Sequence, residues 1–289
     1  MDTSSKSRAL VLGGGGVTGI GWEVGVLAGL LDQGADLRAA DAVIGTSAGA
    51  FVGANYAAGV PWAQVLQMQE RASDHEPLRR LVPEVYQAWR DAFVDGAGDP
   101  RAVGVGFGRV ARRFDPTMGA AERRQVVRSR LATDSWAPAL RICVTDADTG
   151  ELVVLGPEAD VRLEEAVEAS GAVPGIWPAV KIGGREWIDA GMVSAANAAT
   201  ATGHDHVVVL APMPEGFVGI PSAAQDVAGL ALGARALLLT PDEESQLAIG
   251  DNPYDPTRAG AAAAAGRRQG RARATDVIAA WLLPPTAQA

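Results

Sequence analysis

The segment Asp41–Ala50, DAVIGTSAGA, sets a serine in a Gly-x-Ser-x-Gly frame directly behind a short apolar run. A strand over Ala42–Ile44 and a helix leaving from Ala48 force Ser47 onto a sharp turn, where Gly45 and Gly49 remove the side chains that would collide. Ala48, Ala50, Gly53 and Ala54 keep the start of that helix thin, so it can lie close to a sheet and leave the hydroxyl exposed. The pattern by itself carries little, because eleven serines and 35 glycines in 289 residues give about 0.2 chance matches. Its strand-to-helix setting carries more. The competing reading is a glycine-rich turn with an idle serine.

The same grammar opens the chain. Ala9–Leu12 reads as a buried strand, followed by the glycine run Gly13–Gly16 and an apolar-periodic helix from about Ile20 to Leu31. Leu140–Thr145 and His206–Leu210 add two apolar runs. Alternation of this kind predicts an α/β fold with a mostly parallel central sheet covered by helices on both faces. Asp146–Gly150 carries hairpin-turn chemistry between apolar runs at Leu140–Val144 and Leu152–Leu155. Residues 61–135 read as an inserted helical layer, with Trp62, Trp89, Phe93 and Phe107 spaced among arginines and acids. That layer is either a lid over a site or amphipathic helices packed on the sheet, the second being slightly favoured. After Thr240, Pro-Asp-Glu-Glu starts a helical tail over about 241–289, which runs through Ala261–Ala265 and the arginines of GRRQGRARA. Its basic face reads as solvated surface ahead of anionic-lipid contact. The expected organisation is a single domain, 1–289, with a catalytic core over about 9–210.

Composition narrows the function classes. Hydrophobic residues make up 48% of the chain, enough for a sizeable core. The formal charge of −9 argues against general affinity for nucleic acid, whose phosphates demand a basic face. Cys143 is alone, which excludes an intrachain disulfide and a cysteine metal cage and fits a reducing cytoplasm, the expected location. The N-terminal apolar run stops after four positions, short of a signal-peptide core. The longest apolar segment, Val227–Leu239, is interrupted by Arg235 and falls short of the roughly 20 residues a spanning helix requires. Any membrane contact is therefore expected to be peripheral.

A serine hydroxyl needs a neighbouring base to become a nucleophile. Three histidines are present, His75, His204 and His206. The last two precede the run Val207–Leu210, at the entering end of a parallel strand, whereas Ser47 lies past the leaving end of its own. His75 has no strand end to hold it. An aspartate is the better base, and Asp189 in REWIDAGM is the first choice. Trp187–Ile188 reads as a strand end, Gly191 allows a tight turn, and burial against Trp177 or Trp187 would raise the carboxylate from a pKa near 3.9. A turn-capping aspartate reads the same way on spacing alone. Asp146 is the runner-up, and Asp41 is disfavoured because it precedes its strand. The oxyanion formed by attack on an ester requires preorganised donors, which bare amides at Gly13–Gly16 and the following helix N-terminus can supply. Gly14, Gly16 and Gly19 also satisfy Gly-x-Gly-x-x-Gly, so a dinucleotide site is an alternative. Against it, the second strand ends in Gly45-Thr46-Ser47, with no acidic residue for a ribose.

Taken in order, Gly14-Gly15-Gly16-Val17-Thr18-Gly19, Gly45-Thr46-Ser47-Ala48-Gly49 and Asp189-Ala190-Gly191 resemble the patatin-like phospholipases, over about Ala9 to Leu210. Ala169-Ser170-Gly171-Ala172-Val173-Pro174 is similar to a segment that precedes the family's catalytic aspartate, and Thr145-Asp146 with Thr149-Gly150 to a strand-turn element. The resemblance implies a three-layer α/β/α fold and a Ser-Asp dyad that hydrolyses acyl esters of lipids, with no metal or cofactor. It implies Ser47 as nucleophile, Asp189 as base and the backbone of Gly14, Gly15 and Gly16 as oxyanion hole. Two positions depart from the family pattern: Thr18 stands where a basic residue is usual, and Ala190 where glycine is. The first bears on recognition of anionic head groups, so ester hydrolysis is the firmer expectation. A lipid-binding pseudo-enzyme and a nucleotide-binding oxidoreductase are the alternatives.

Overall fold

The computed structural model describes residues 6–116, 118–215, 220–230 and 234–282. Strand β1 (Arg8–Leu12) runs into helix α1 (Gly16–Asp32), and β2 (Ala42–Thr46) into α2 (Ala48–Ala57), as the two glycine-marked turns predict. The helix after the first turn begins four residues earlier than its apolar periodicity, at Gly16. Packing of the loop explains this: Thr18 N–H donates to Pro253 O (3.3 Å) and Gly19 N–H to Gly15 O (2.9 Å), so the first turn is held where no apolar signal marks it.

Four helices follow, α3 (Trp62–Glu70), α4 (Pro83–Gly96), α5 (Pro100–Arg113) and α6 (Ala120–Ser129). Proline in the first turn starts both α4 and α5, and Asp99 caps α5 by accepting from Arg101 N–H. These helices do not form one layer. Trp62 Nε1 of α3 donates to Val24 O of α1 (3.0 Å), while Phe93 of α4 meets Phe107 of α5 edge-on with ring centroids 5.0 Å apart. Helix α6 is tied by Arg128 to Glu164 (2.7 Å) of α7.

Next come β3 (Leu140–Asp146), β4 (Leu152–Leu155), α7 (Leu163–Ser170), β5 (Val180–Ile182) and β6 (Arg185–Asp189). The chain then forms β7 (His206–Leu210), α8 (Ala223–Leu230), β8 (Arg235–Leu239), α9 (Glu243–Ile249) and α10 (Ala259–Leu282). Strands β3, β2, β1, β7 and β8 are parallel in that order, and β4, β5 and β6 are antiparallel additions. Alternation along the strands makes three layers. Leu10, Leu12, Val43, Leu140, Ile142 and Val208 face α1, α2, α7 and α10, whereas Ala9, Val11, Ile44, Cys143, Val207 and Val209 face α8 and the turns after β6. Strand β8 has no counterpart in the sequence reading. It occupies the second half of the apolar run Val227–Leu239, whose first half ends α8 and whose positions 231–233 lie outside the described residues. The tail expected over about 241–289 is two helices rather than one, α9, where Asp242 accepts from Ser245 N–H (2.9 Å), and α10, and positions 283–289 lie outside the described residues. The basic face of α10 is spent on ion pairs: Arg267 and Arg271 on Asp32, Arg268 on Asp242 and Glu244, and Arg273 on Asp276.

One detail of register positions everything that follows. Ile142 and Cys143 of β3 pair with β2 and with β4, and Val144 and Thr145 pair with β4 and with β6. A strand has only two edges, so β2 and β6 share one edge of β3 end to end. Thr46 sits opposite Cys143, and Asp189 opposite the next residue, Val144. The end of β2 therefore meets the end of β6.

Candidate active site

Ser47 follows Thr46 at that meeting point with φ 53° and ψ −114°, a conformation an L residue holds only when its surroundings force it. The surroundings are close. A Cβ on Gly45 would stand 2.5 Å from Gly49 O, and one on Gly49 would stand 2.0 Å from Leu12 O, so both glycines are required by approach of backbone. Ser170, at the end of α7, holds the turn from behind: its Oγ accepts from Ser47 N–H (2.9 Å) and donates to Cys143 O (2.7 Å). Asn197 bolts the two strand ends together, its Nδ2 donating to Thr46 Oγ1 (3.1 Å) and Ala190 O (3.3 Å).

Asp189 is 2% exposed, and its backbone N–H donates to Ala172 O (3.1 Å). Burial pushes its carboxyl up to about 7, against the pull of hydrogen bonding from the Ser47 hydroxyl, from Gly191 N–H and of the Arg123 charge. Gly191 N–H reaches Oδ1 at 2.7 Å, which fixes the carboxylate's orientation toward the cleft. Ser47 and Asp189 line one cleft together with Trp89 of α4, Met192, Met213 and Tyr254. The 61–135 segment thus contributes a wall through Trp89 while its helices pack on the body of the protein.

The glycine loop borders the same cleft, and one expectation about it needs correcting. Gly14 N–H is already bonded to Ala195 O at 2.8 Å, as Gly13 N–H is to Leu210 O at 2.9 Å. Gly14 therefore shapes the loop rather than offering a donor; the ideal Cβ position at Gly14 is 3.6 Å from Ser47 Cβ, which shows how close the loop passes. Gly15 and Gly16 have amides with no acceptor among the described residues, at the N-terminus of α1 where the helix dipole adds positive potential. Gly16 has φ +60°, and a Cβ there would stand 2.4 Å from Pro253 O; one on Gly15 would stand 2.6 Å from Pro212 Cβ. These prolines are why the loop admits no side chain at either position.

The remaining sequence candidates are engaged elsewhere. Asp146 caps its own hairpin turn through Asp148 N–H and Thr149 N–H (2.9 and 2.8 Å) and pairs with Arg185 (2.6 Å). Asp41 accepts from Arg8 N–H (2.7 Å) at the opposite end of the sheet. His206 pairs with Arg8 in register and contacts Ala280 O (2.8 Å), a strand length from the elbow, and His204 lies beside it against Ala201 O (3.0 Å). His75 is exposed. Sequence reasoning missed the support given by Asn197 and the 252–254 segment, which no local pattern marks. Ser170 was visible only through the family segment around it.

A family model described as patatin-like phospholipase matches residues 10–202, a span that holds the glycine loop, the elbow and Asp189. The chain belongs to the patatin-like phospholipase family. Membership places this patatin-like protein among lipid hydrolases. Among solved structures it is similar to VipD from Legionella pneumophila, with 14% identity, TM-score 0.47, and coverage of 94% of this chain and 67% of that one. It is also similar to full-length ExoU in complex with SpcU from Pseudomonas aeruginosa, with 15% identity, TM-score 0.44, and coverage of 94% and 53%. The patatin-like chain thus spans about half the length of ExoU. No curated protein sequence matches it. Of its two departures from the family pattern, Ala190 is sterically neutral, because it lies in a short 3-10 turn without positive φ. Thr18 is fully buried beneath the 253 segment, with no partner for its hydroxyl among the described residues.

Proposed function

We propose that this patatin-like protein cleaves carboxylic esters of lipids through an acyl-serine on Ser47, with Asp189 as the base. The single observation that carries the reading is that a strained serine and a buried aspartate come together in one cleft beside the unengaged amides of Gly15 and Gly16. Asp189 takes the hydroxyl proton as Ser47 Oγ attacks the carbonyl, and the two amides hold the negative oxygen. Asp189 then passes that proton to the departing alcohol. Water attacks the acyl-serine, Asp189 receives its proton and returns it to Ser47, and the free acid leaves.

No helix among the described residues is long and apolar enough to cross a membrane. Val82 and Tyr86, half exposed at the start of the helix that carries Trp89, give the cleft wall an apolar outer surface suited to peripheral contact with lipid. The test is direct. Wild type should hydrolyse 4-nitrophenyl butyrate and take a fluorophosphonate label, and folded Ser47→Ala should do neither. Normal hydrolysis by folded Ser47→Ala would overturn the assignment, and a folded wild type inert in both assays would favour a lipid-binding pseudo-enzyme.

A further inference from the structure

Gly16, Ser47, Val173 and Tyr254 line both the cleft and an inner cavity with a charged end. Ile20, Phe51 and Trp177 wall it, and Glu76, Arg123 and Arg130 close it. All three closing residues are 8% exposed or less. Arg130 Nε donates to Glu76 Oε2 at 2.7 Å, and Arg123 Nη1 donates to Oε1 at 3.3 Å. Two guanidiniums therefore share one carboxylate, and guanidinium does not give up its proton in proteins. The adjacent Arg124 and Glu168 cancel each other at 3.0 Å. Outside Asp189, on whose carboxyl the Arg123 charge also acts, the cluster keeps a buried cationic surplus.

The surplus is also short of acceptors. Arg123 Nε has none among the described residues, although its guanidinium carbon lies 4.0 Å from the centroid of Trp177. Arg79 approaches the same ring at 5.7 Å, and its Nε likewise has none. Leaving a charged donor buried and unpaired is costly, so a group that supplies an acceptor is favoured there.

We propose that this cluster is an anion subsite of the ester-cleaving cleft, which receives the carboxylate or phosphate of a small anionic acyl ester; the inference rests on the hydrolase reading above. The free volume of about 20 Å³ in the inner cavity holds one water-sized group, so a single oxygen of the anion enters and meets the guanidinium donors. The rest of the ligand occupies the cleft at Ser47, whose own free volume of about 70 Å³ favours a short acyl or alcohol group.

Calorimetric titration of the full chain with butyl phosphate and with pentanoate, against neutral pentanamide, tests binding without requiring turnover. The anions should bind saturably and the amide at least tenfold more weakly. Arg123→Gln should weaken anion binding tenfold or more, whereas Glu76→Gln, which raises the positive surplus, should strengthen it. A cluster that serves only to hold the fold would lose binding in both variants, which would overturn the subsite. Should Arg123→Gln fail to fold, the wild-type comparison and Glu76→Gln still decide. Turnover then separates the two sources of the anion. Preference for 4-nitrophenyl hydrogen glutarate over 4-nitrophenyl pentanoate puts it on the acyl side, and preference for 1-butyryl-glycerol 3-phosphate over monobutyrin puts it on the alcohol side. Equal binding of anions and amide with no preference in either pair overturns the subsite and leaves the esterase standing. Anion binding that Arg123→Gln abolishes, in a chain without turnover, supports the subsite and overturns the hydrolase.

Discussion

Desolvation sets the chemistry available to Asp189. In water an aspartate is too weak a base to draw a proton from serine, but burial lifts this one to about 7, where the proton is held strongly enough to be taken and loosely enough to be returned. With the ionised form as the proposed base, kcat/KM on a neutral ester should rise with pH through about 7 and level off above it. Asp189→Asn should remove that limb and lower kcat by about 10²–10⁴-fold. A rate independent of pH between 5 and 9 in wild type would exclude Asp189 as the base. Ser170 acts one step back, through the elbow. Ser170→Ala leaves Ser47 N–H and Cys143 O without partners, at about 1–3 kcal/mol for each group, and should lower kcat more than it raises KM. Ser47, Asp189 and the elbow glycines were legible because each bears a local signature. The engagement of Gly14 N–H was not, since its acceptor, Ala195 O, lies far along the chain.

At the scale of elements, the most extensive contact among the described elements joins α1 to α10. A Cβ on Gly21, Gly25 or Gly29 of α1 would stand 2.4, 2.0 or 2.1 Å from a carbonyl of the opposite helix, and one on Gly266 or Gly270 of α10 would stand 2.3 or 2.2 Å from a carbonyl of α1. The two backbones touch over more than two turns, with Trp22 Nε1 donating to Gln269 Oε1 (2.9 Å) between them. The amides proposed to hold the oxyanion sit at the N-terminus of α1, so α10 braces the helix that aims them. Alanine is the better helix former by about 1 kcal/mol, yet Gly25→Ala must separate the helices, and overpacking costs about 1–3 kcal/mol. Gly25→Ala should therefore lower the urea midpoint, whereas Gly229→Ala, in α8 with open space around it, should raise it. Equal shifts in both would dismiss the close packing. The sequence shows these glycines only as a weakening of a helix. Their spacing acquires meaning from a partner more than 230 residues away, which is also why the edge strand β8 escaped the reading.

On the scale of the whole molecule, the site exists because two strands with opposite directions end on one edge of β3, and the proton balance of folding is set by what that arrangement buries. Most shifted carboxylates, among them Asp32, Asp36, Asp146 and Asp242, are held below their usual range by arginines or amides, so the stability they contribute is lost as pH falls. Glu23 works the other way. It lies inside α1 beneath the glycine loop with no exposure and no charged partner among the described residues, and burial pushes its pKa well above the usual range against the opposing pull of the Gly13 backbone. The folded protein holds this proton while the unfolded chain releases it, so the stability Glu23 contributes is complete at acid pH and declines as pH rises from the ordinary glutamate value to the raised one. Glu23→Gln keeps the shape and removes the proton. Its stability relative to wild type should therefore grow with pH, by up to about 1.4 kcal/mol per unit, while the parallel contribution of Asp189 cancels between the two proteins. Urea unfolding of both at pH 5, 6, 7 and 8 measures the difference, and a difference constant across that range would mean that Glu23 is not protonated in the fold.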